Sequence, residues 1–150
     1  MREAIHRRLF RLFLCALILM VVALSASAVE RPFKLTGITQ LTGNPFAPEG
    51  AGMVGAGTAT HLGNWTNTGS FFLEPNLHGY GAIDLVAANG DHLNFTAEGN
   101  ADPSFNVVAT YSITGGTGRF AGASGTGDFV GHLNPQDFVI TYTATGTIDY

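Results

Sequence analysis

Residues 138–149 alternate between apolar side chains and mostly threonine, and this period of two constrains the fold more than any other feature of the chain. Successive side chains of a β-strand point to opposite faces, so the segment is predicted to be a strand with an apolar inner face. Residues 104–114 follow the same pattern, with Val108 in the outward phase. The predicted inward side chains of the two segments are Phe105, Val107, Ala109, Tyr111 and Ile113, and Phe138, Ile140, Tyr142, Ala144 and Ile148.

Six further segments are predicted strands, and no segment after Ala28 shows a sustained apolar period of 3.6 residues. Eight short antiparallel strands can form a closed barrel or a two-sheet sandwich. All 20 glycines follow residue 28, and several lie inside strands, where tight curvature uses them, so the barrel is favoured. The longest irregular stretch, residues 43–50, is predicted to be a loop over a barrel mouth. The six segments are residues 33–41, 53–62, 64–74, 79–87, 91–98 and 124–133.

The hairpin around Asn89 and Gly90 has two candidate registers. A two-residue loop would turn Asp84 inward opposite Phe95, whereas a three-residue loop beginning at Ala88 would turn Asp84 outward. A shift of one residue moves every side chain to the other face of the strand. Burying an unpaired carboxylate costs several kcal/mol, so the three-residue loop is predicted. In that register the inward residues are Ile83, Leu85, Leu93, Phe95 and Ala97, and the outward residues are Asp84, His92 and Asn94.

The first 28 residues have the layout of a secretory signal peptide. A basic start precedes an apolar run at residues 12–24 and a small-residue exit at Ala26 and Ala28. We therefore expect cleavage after Ala28, an exported protein, and one barrel domain at residues 29–150 with no membrane span. A retained N-terminal anchor is the alternative, although the run is shorter than the roughly 20 apolar residues of a span. Arg7 and Arg8 leave a twin-arginine signal open beside an ordinary one.

The remainder of the chain is acidic. Residues 29–150 carry three basic side chains, Arg31, Lys34 and Arg119, against ten carboxylates, a formal charge of −7. Nucleic-acid binding needs clustered Lys and Arg, so no nucleic-acid partner is predicted. Anionic membranes attract the same residues, so binding to such a surface is disfavoured. The one cysteine, Cys15, lies in the apolar run of the signal, so the barrel is predicted to have no disulfide.

Motifs for metal, nucleotide or covalent chemistry do not occur in this sequence. The histidines after residue 28 have no metal-ligand spacing, and neither a G-x-S-x-G elbow nor a phosphate loop is present. No cofactor and no metal are predicted. The histidines are His61, His78, His92 and His132.

Three residues are candidates for contacting a ligand. Tyr111 and Tyr142 lie in the inward phase and could line a pocket with their polar tips, or serve as ordinary aromatic core. Arg119 could bind an acidic ligand at the barrel rim, or form a salt bridge across its turn, with Asp128 as the expected partner.

One glycine-rich stretch resembles a known motif. Residues 111–125 read YSITGGTGRFAGASG and are similar to the G-G-[ST]-G-x-F-x-G-A-x-G stretch of the allene oxide cyclase and dirigent families. The resemblance implies an eight-stranded antiparallel barrel of calycin-like architecture, with Phe120 plugging one end. Residues 57–63 and 87–91 resemble uncharacterised exported bacterial relatives of that barrel group. The pocket residues of the two families have no identifiable counterparts here, so neither activity is carried over.

Three functions remain open from the sequence. The first is an exported, non-catalytic barrel that binds a small apolar ligand or acts at the cell envelope. The second is a cofactor-free isomerase or cyclase like the family it resembles, and the third is a structural or adhesive module. A binding protein needs an open apolar cavity. An enzyme needs a carboxylate, histidine or tyrosine held inside with a shifted pKa.

Overall fold

The computed structural model describes residues 29–150, which form eight strands and one short 3₁₀ helix, Gly118–Phe120. The predicted signal peptide lies outside the described residues. No helix in the described part is long and apolar enough to cross a membrane. The strands are β1 (Arg31–Thr42), β2 (Ala51–Ala59), β3 (Gly63–Leu73), β4 (His78–Ala87), β5 (His92–Ala101), β6 (Asn106–Gly116), β7 (Gly125–Asn134) and β8 (Val139–Ile148).

The strands form a closed antiparallel barrel in chain order. Each strand pairs with its sequence neighbour, and β8 pairs with β1 from Arg31 opposite Ile148 to Gln40 opposite Val139. The predicted all-β, eight-stranded barrel is therefore confirmed, and the two-sheet sandwich is not formed. Closure leaves no strand with an unpaired edge, which suits strands whose outer faces carry few charges.

The hairpin between β4 and β5 has the predicted register. Ile83 lies opposite Phe95 and Leu85 opposite Leu93. The three-residue loop is closed by hydrogen bonds between Ala87 and Asp91 and between Gly90 and Ala87. Asp84 lies on the outer face, as the cost of burying a carboxylate predicts.

Four loops close one end of the barrel, and we call it the proline end because each loop contains a proline. In each loop an Asn or Asp side chain accepts the backbone N–H two residues further on, which is the geometry of an Asx turn. The predicted mouth loop is one of the four, and it buries Pro45. The loops are residues 43–50, 74–77, 102–105 and 135–138.

Three apolar residues of the proline end have left-handed backbone conformations. Leu77, Phe105 and Phe138 have φ angles of 65°, 61° and 56°, and each directly precedes an even-numbered strand. Side chains with a Cβ rarely adopt this region, so the positions are strained. The strain explains why β6 begins at Asn106 rather than at the predicted residue 104. All three side chains pack against the core cluster at this end.

The carbonyl groups of these loops join the four hairpins in a ring. Each accepts a backbone hydrogen bond, 2.8–3.0 Å long, from a residue near the end of an odd-numbered strand in another hairpin. Every hairpin thus donates one hydrogen bond to a neighbouring hairpin and accepts one from another. The donor and acceptor pairs are Leu73 to Pro45, Ala101 to Leu77, Leu133 to Phe105, and Leu41 to Phe138.

The opposite end of the barrel is filled by Phe120, so we call it the Phe120 end. The ring of Phe120 is fully buried and lies 5.1 Å from that of Tyr150, between centroids. Leu62, from the loop between β2 and β3, belongs to the same core cluster. This placement agrees with the plug that the glycine-rich motif implied for Phe120.

Candidate ligand-binding site in the barrel lumen

The inward side chains leave two small chambers in the barrel. The chamber towards the proline end has a volume of about 50 Å³ and is lined by Met53, Phe71, Ala109, Leu133 and Ile140, among others. The chamber towards the Phe120 end has a volume of about 30 Å³. The chambers share four lining residues, Ile83, Ala97, Phe129 and Tyr142.

The lumen is apolar because the inward phase of the strands is apolar. Between the ends of the described strands, no inward position carries an acidic, basic or histidine side chain. Glycine or alanine at many of these positions leaves the space that larger side chains would fill. An eight-stranded barrel of this kind has room for side chains and one small ligand.

A buried polar cluster interrupts the apolar wall where β1, β3 and β8 face inward. The hydroxyl of Thr39 donates to Oδ1 of Asn67 at 3.2 Å and lies 3.1 Å from the hydroxyl of Tyr142. Because the single Thr39 proton is used on Asn67, Tyr142 is the donor in the second bond. A Cβ at Gly55 would collide with Thr39 and Asn67, so glycine there makes room for the cluster.

Tyr142 lines both chambers, as its inward phase indicated. Burial raises the pKa of its hydroxyl, and the hydrogen bond with Thr39 opposes the rise. Its ring stacks on Phe129, with centroids 4.9 Å apart. Tyr142 is therefore a neutral hydrogen-bond donor at the junction of the chambers.

Tyr111 lines the chamber towards the Phe120 end and is 4% exposed. Its hydroxyl is buried and has no hydrogen-bond partner among residues 29–150. A Cβ at Gly127 or Gly146 would lie 2.6 Å from that hydroxyl, so both glycines are needed to accommodate it. Burial, with a smaller contribution from the charge of Asp128, raises the pKa of Tyr111 to about 12. Tyr111 thus stays protonated with a proton to donate.

Two more buried donors lack a partner within the described chain. They are Nε1 of Trp65 and Nδ2 of Asn67, both on the inward face of β3. A buried donor left unpaired costs about 1–3 kcal/mol, so such groups mark places where a water or a ligand acceptor is expected. The lumen therefore offers hydrogen-bond donors rather than general bases.

Arg119 is not part of the lumen. It lies in the 3₁₀ helix at the Phe120 end, with its guanidinium over the Phe120 ring at 4.8 Å from the centroid. Its Nε lies 3.6 Å from Oδ2 of Asp91. The predicted partner Asp128 was therefore wrong: the turn folds back over the start of β5, whereas Asp128 lies on the outer face of β7.

The histidines do not converge. His92 Nδ1 lies 2.8 Å from Oδ2 of Asp84 on the outer face of the β4–β5 hairpin. Within residues 29–150, no group of three or more His, Cys, Asp or Glu side chains could hold a metal ion.

Sequence reasoning missed Thr39 and Asn67. Each is a polar residue at a strand position where the alternating pattern calls for an apolar side chain. That interruption of the pattern is visible in the sequence. Their mutual hydrogen bond spans 28 residues of sequence, and the bond to Tyr142 spans 103.

The fold and lumen define a closed eight-stranded antiparallel barrel with a small apolar interior. No family model matches the chain, and no curated protein matches its sequence. Among solved structures, the chain is similar to the pterocarpan synthase dirigent protein GePTS1, with 13% sequence identity and a TM-score of 0.50. The similarity covers 81% of this chain and 84% of that one. It shows a dirigent-like barrel fold.

Proposed function

We propose that the chain is an exported, non-catalytic barrel that binds a small apolar ligand carrying one hydrogen-bond acceptor. The observation that carries the proposal is the apolar lumen with the unpartnered hydroxyl of Tyr111 at one chamber. A ligand site of this kind combines apolar walls with a few placed polar groups. The likeness of residues 57–63 and 87–91 to exported bacterial relatives, and the signal-like residues 1–28, support export.

The protonation of the lumen tyrosines favours binding over proton abstraction. Burial raises the pKa of Tyr111 and of Tyr142, so both remain neutral at physiological pH. A neutral tyrosine donates a hydrogen bond to a carbonyl or hydroxyl oxygen and cannot serve as a base. The total space of the chambers limits the ligand to a slender molecule of a few heavy atoms.

A single methyl group reports on the site. Met53 lines the chamber towards the proline end, and it is the one methionine in residues 29–150. We expect straight-chain alcohols, titrated into protein labelled with ¹³C-methyl methionine, to shift the Met53 resonance saturably. The intact mass of the same exported preparation would show whether cleavage follows Ala28.

An inward and an outward alanine supply a matched pair of variants. Ala109→Leu on β6 fills the chamber from inside, and Ala56→Leu makes the same change at an exposed position of β2. We expect the alcohol-induced shift to disappear in the first variant and to persist in the second. An unchanged shift in Ala109→Leu, in a variant that is folded by circular dichroism, would contradict binding in the chamber that Met53 lines. An unchanged affinity in Tyr111→Phe would contradict the role of the Tyr111 hydroxyl in the other chamber.

A cofactor-free isomerase or cyclase is the second candidate, because Tyr111 is a buried, protonated acid in the lumen. The structural neighbour described as a synthase supports the same candidate. Mass spectrometry of compounds that co-purify with the protein distinguishes the two. A binder returns its ligand unchanged after incubation, whereas an enzyme converts it, and conversion should be lost in Tyr111→Phe.

A further inference from the structure

The outer face of the barrel carries a shallow groove that is separate from the lumen. It crosses β3, β4, β5 and β6 and has a volume of about 470 Å³. Strand pairing lines up two rows of outward side chains along it. One row is Phe72, Tyr80, Glu98 and Thr110, and the other is Ser70, Ala82, Thr96 and Ser112.

An aromatic pair stands at one end of the groove. Phe72 and Tyr80 stack with centroids 5.2 Å apart and planes 14° from parallel, and Tyr80 remains 44% exposed. The stacking of one ring on the other restrains Tyr80 while its remaining surface faces solvent. The face of an aromatic ring carries partial negative charge and attracts weakly positive C–H groups, such as those of a pyranose ring.

Polar side chains continue the groove beyond Tyr80. Glu98 lies opposite Tyr80 on β5, and Thr96, Thr110 and Ser112 supply hydroxyl groups. A carboxylate accepts hydrogen bonds from hydroxyl groups, and a threonine or serine hydroxyl both donates and accepts. The small side chain of Ala82, in the second row, leaves the groove open on β4.

The strand spacing of the groove suits a β-1,4-linked sugar chain, and its charge discriminates against acidic ones. Neighbouring strands lie about 4.8 Å apart, which is close to the length of one β-1,4-linked pyranose unit. A chain of such units crossing the strands would meet a new pair of side chains at each unit. Glu98, together with Asp128 beyond Thr110 in the same row, would repel acidic polysaccharides.

We propose that this groove binds a neutral β-1,4-linked polysaccharide, with one pyranose ring stacked on Tyr80 and its hydroxyl groups bonded to Glu98 and the hydroxyl row. The groove lies outside the lumen, so this binding is independent of the ligand proposed above.

Titration calorimetry with cellohexaose and chitohexaose tests the proposal. We expect at least one of them to bind, and polymannuronate, an acidic β-1,4-linked polysaccharide, not to bind. Tyr80→Ala should weaken binding on the order of tenfold, whereas Tyr80→Phe should retain it because the ring face remains. Val108→Ala, at an exposed position outside the groove, is the control and should bind like the unmodified protein.

Three outcomes would overturn the proposal. They are no heat from either hexasaccharide at millimolar concentration, equal binding by Tyr80→Ala and the unmodified protein, and displacement of the sugar by tetramethylammonium at equal concentration. The last would show a cation site formed by Tyr80 and Glu98. Circular dichroism of each variant confirms that the barrel is intact.

Discussion

Tyr111 on β6 and Tyr142 on β8 both point into the lumen but differ in how their hydroxyl groups are satisfied. Tyr142 donates to Thr39, while the Tyr111 hydroxyl has no partner in the described chain. The net value of a buried hydrogen bond is about 1 kcal/mol, and an unpaired buried hydroxyl is unfavourable by a comparable or larger amount. The two tyrosines should therefore respond in opposite directions to loss of the hydroxyl.

We expect Tyr142→Phe to lower the free energy of unfolding by about 1 kcal/mol, because Thr39 loses a donor. Tyr111→Phe should leave stability unchanged or raise it. Urea denaturation followed by the fluorescence of Trp65, the one tryptophan in the chain, measures both. A clear loss of stability in Tyr111→Phe would show that its hydroxyl is bonded in solution.

The free energy of unfolding at alkaline pH should also depend on Tyr111. Its pKa is about 12 in the folded protein and about 10 when unfolded. Below pH 10 both states keep the proton, and between pH 10 and 12 the unfolded state loses it first. Stability should therefore fall over that interval, and the fall should be smaller in Tyr111→Phe. Unfolding midpoints at several pH values from 9 upward measure the slope, and parallel slopes for the two proteins would contradict the assignment.

For single residues, the sequence indicates whether a side chain points inward or outward better than it indicates which residue that side chain bonds to. The period of two placed Tyr111 and Tyr142 inside correctly, because strand phase is a local property. The partner of Arg119 was wrong, because a turn can fold towards either neighbouring strand and the sequence does not encode which. Thr39 and Asn67 were missed although their strand phase turns them inward, and their hydrogen bonds join residues far apart in the sequence.

Among the elements, the hairpin loops at the proline end are the most strained. Leu77, Phe105 and Phe138 hold left-handed backbone conformations while their side chains pack on the core. Packing at these positions must exceed a backbone penalty of roughly 1 kcal/mol. The strain is distributed over three loops, and each loop also receives a hydrogen bond from another hairpin.

At these positions a glycine variant should be more stable than an alanine variant, which is the reverse of the usual order of stability. We expect Phe105→Gly to be more stable than Phe105→Ala by about 1 kcal/mol, because glycine adopts φ of 61° without strain. The control is Val107, two residues on and inside β6, where Val107→Ala should be more stable than Val107→Gly. Urea denaturation compares the four variants. The same order of alanine and glycine at both positions would argue against the left-handed conformation.

Three of these loops share a sequence pattern that the period of two does not capture. Pro75, Pro103 and Pro135 each precede, by two or three residues, an apolar residue and then a strand. This repeat identifies the loop residue that packs against the core at the proline end.

The register of the β4–β5 hairpin was predictable, because only one register keeps Asp84 out of the core. The ring of hydrogen bonds between hairpins was not, because it depends on closure of the whole sheet.

Over the whole molecule, closure removes the distinction between central and edge strands. The pairing of β1 with β8 extends over ten residue pairs, as long as any other in the barrel. The glycine-rich strands favoured a barrel from sequence, and closure by the first and last strands is the simplest way to cover both edges. Similarity to a dirigent protein supports the same architecture.

Hydrogen exchange tests closure directly. We expect the backbone amides of β1 and β8 to exchange as slowly as those of β4 and β5, because every strand is paired on both sides. An open sheet would instead show rapid exchange at alternate amides of β1 and β8. Mass spectrometry of peptides covering the four strands, with the loop at residues 43–50 as a fast-exchanging reference, measures the difference.

An even number of strands gives the barrel a polarity. Val29 and Tyr150 both lie at the Phe120 end, where the hydroxyl of Thr147 donates to Oε1 of Glu30 at 2.6 Å. The larger chamber lies towards the other pole. A tether or fusion partner attached at either of these positions would therefore leave the proline-bearing pole facing away from the point of attachment.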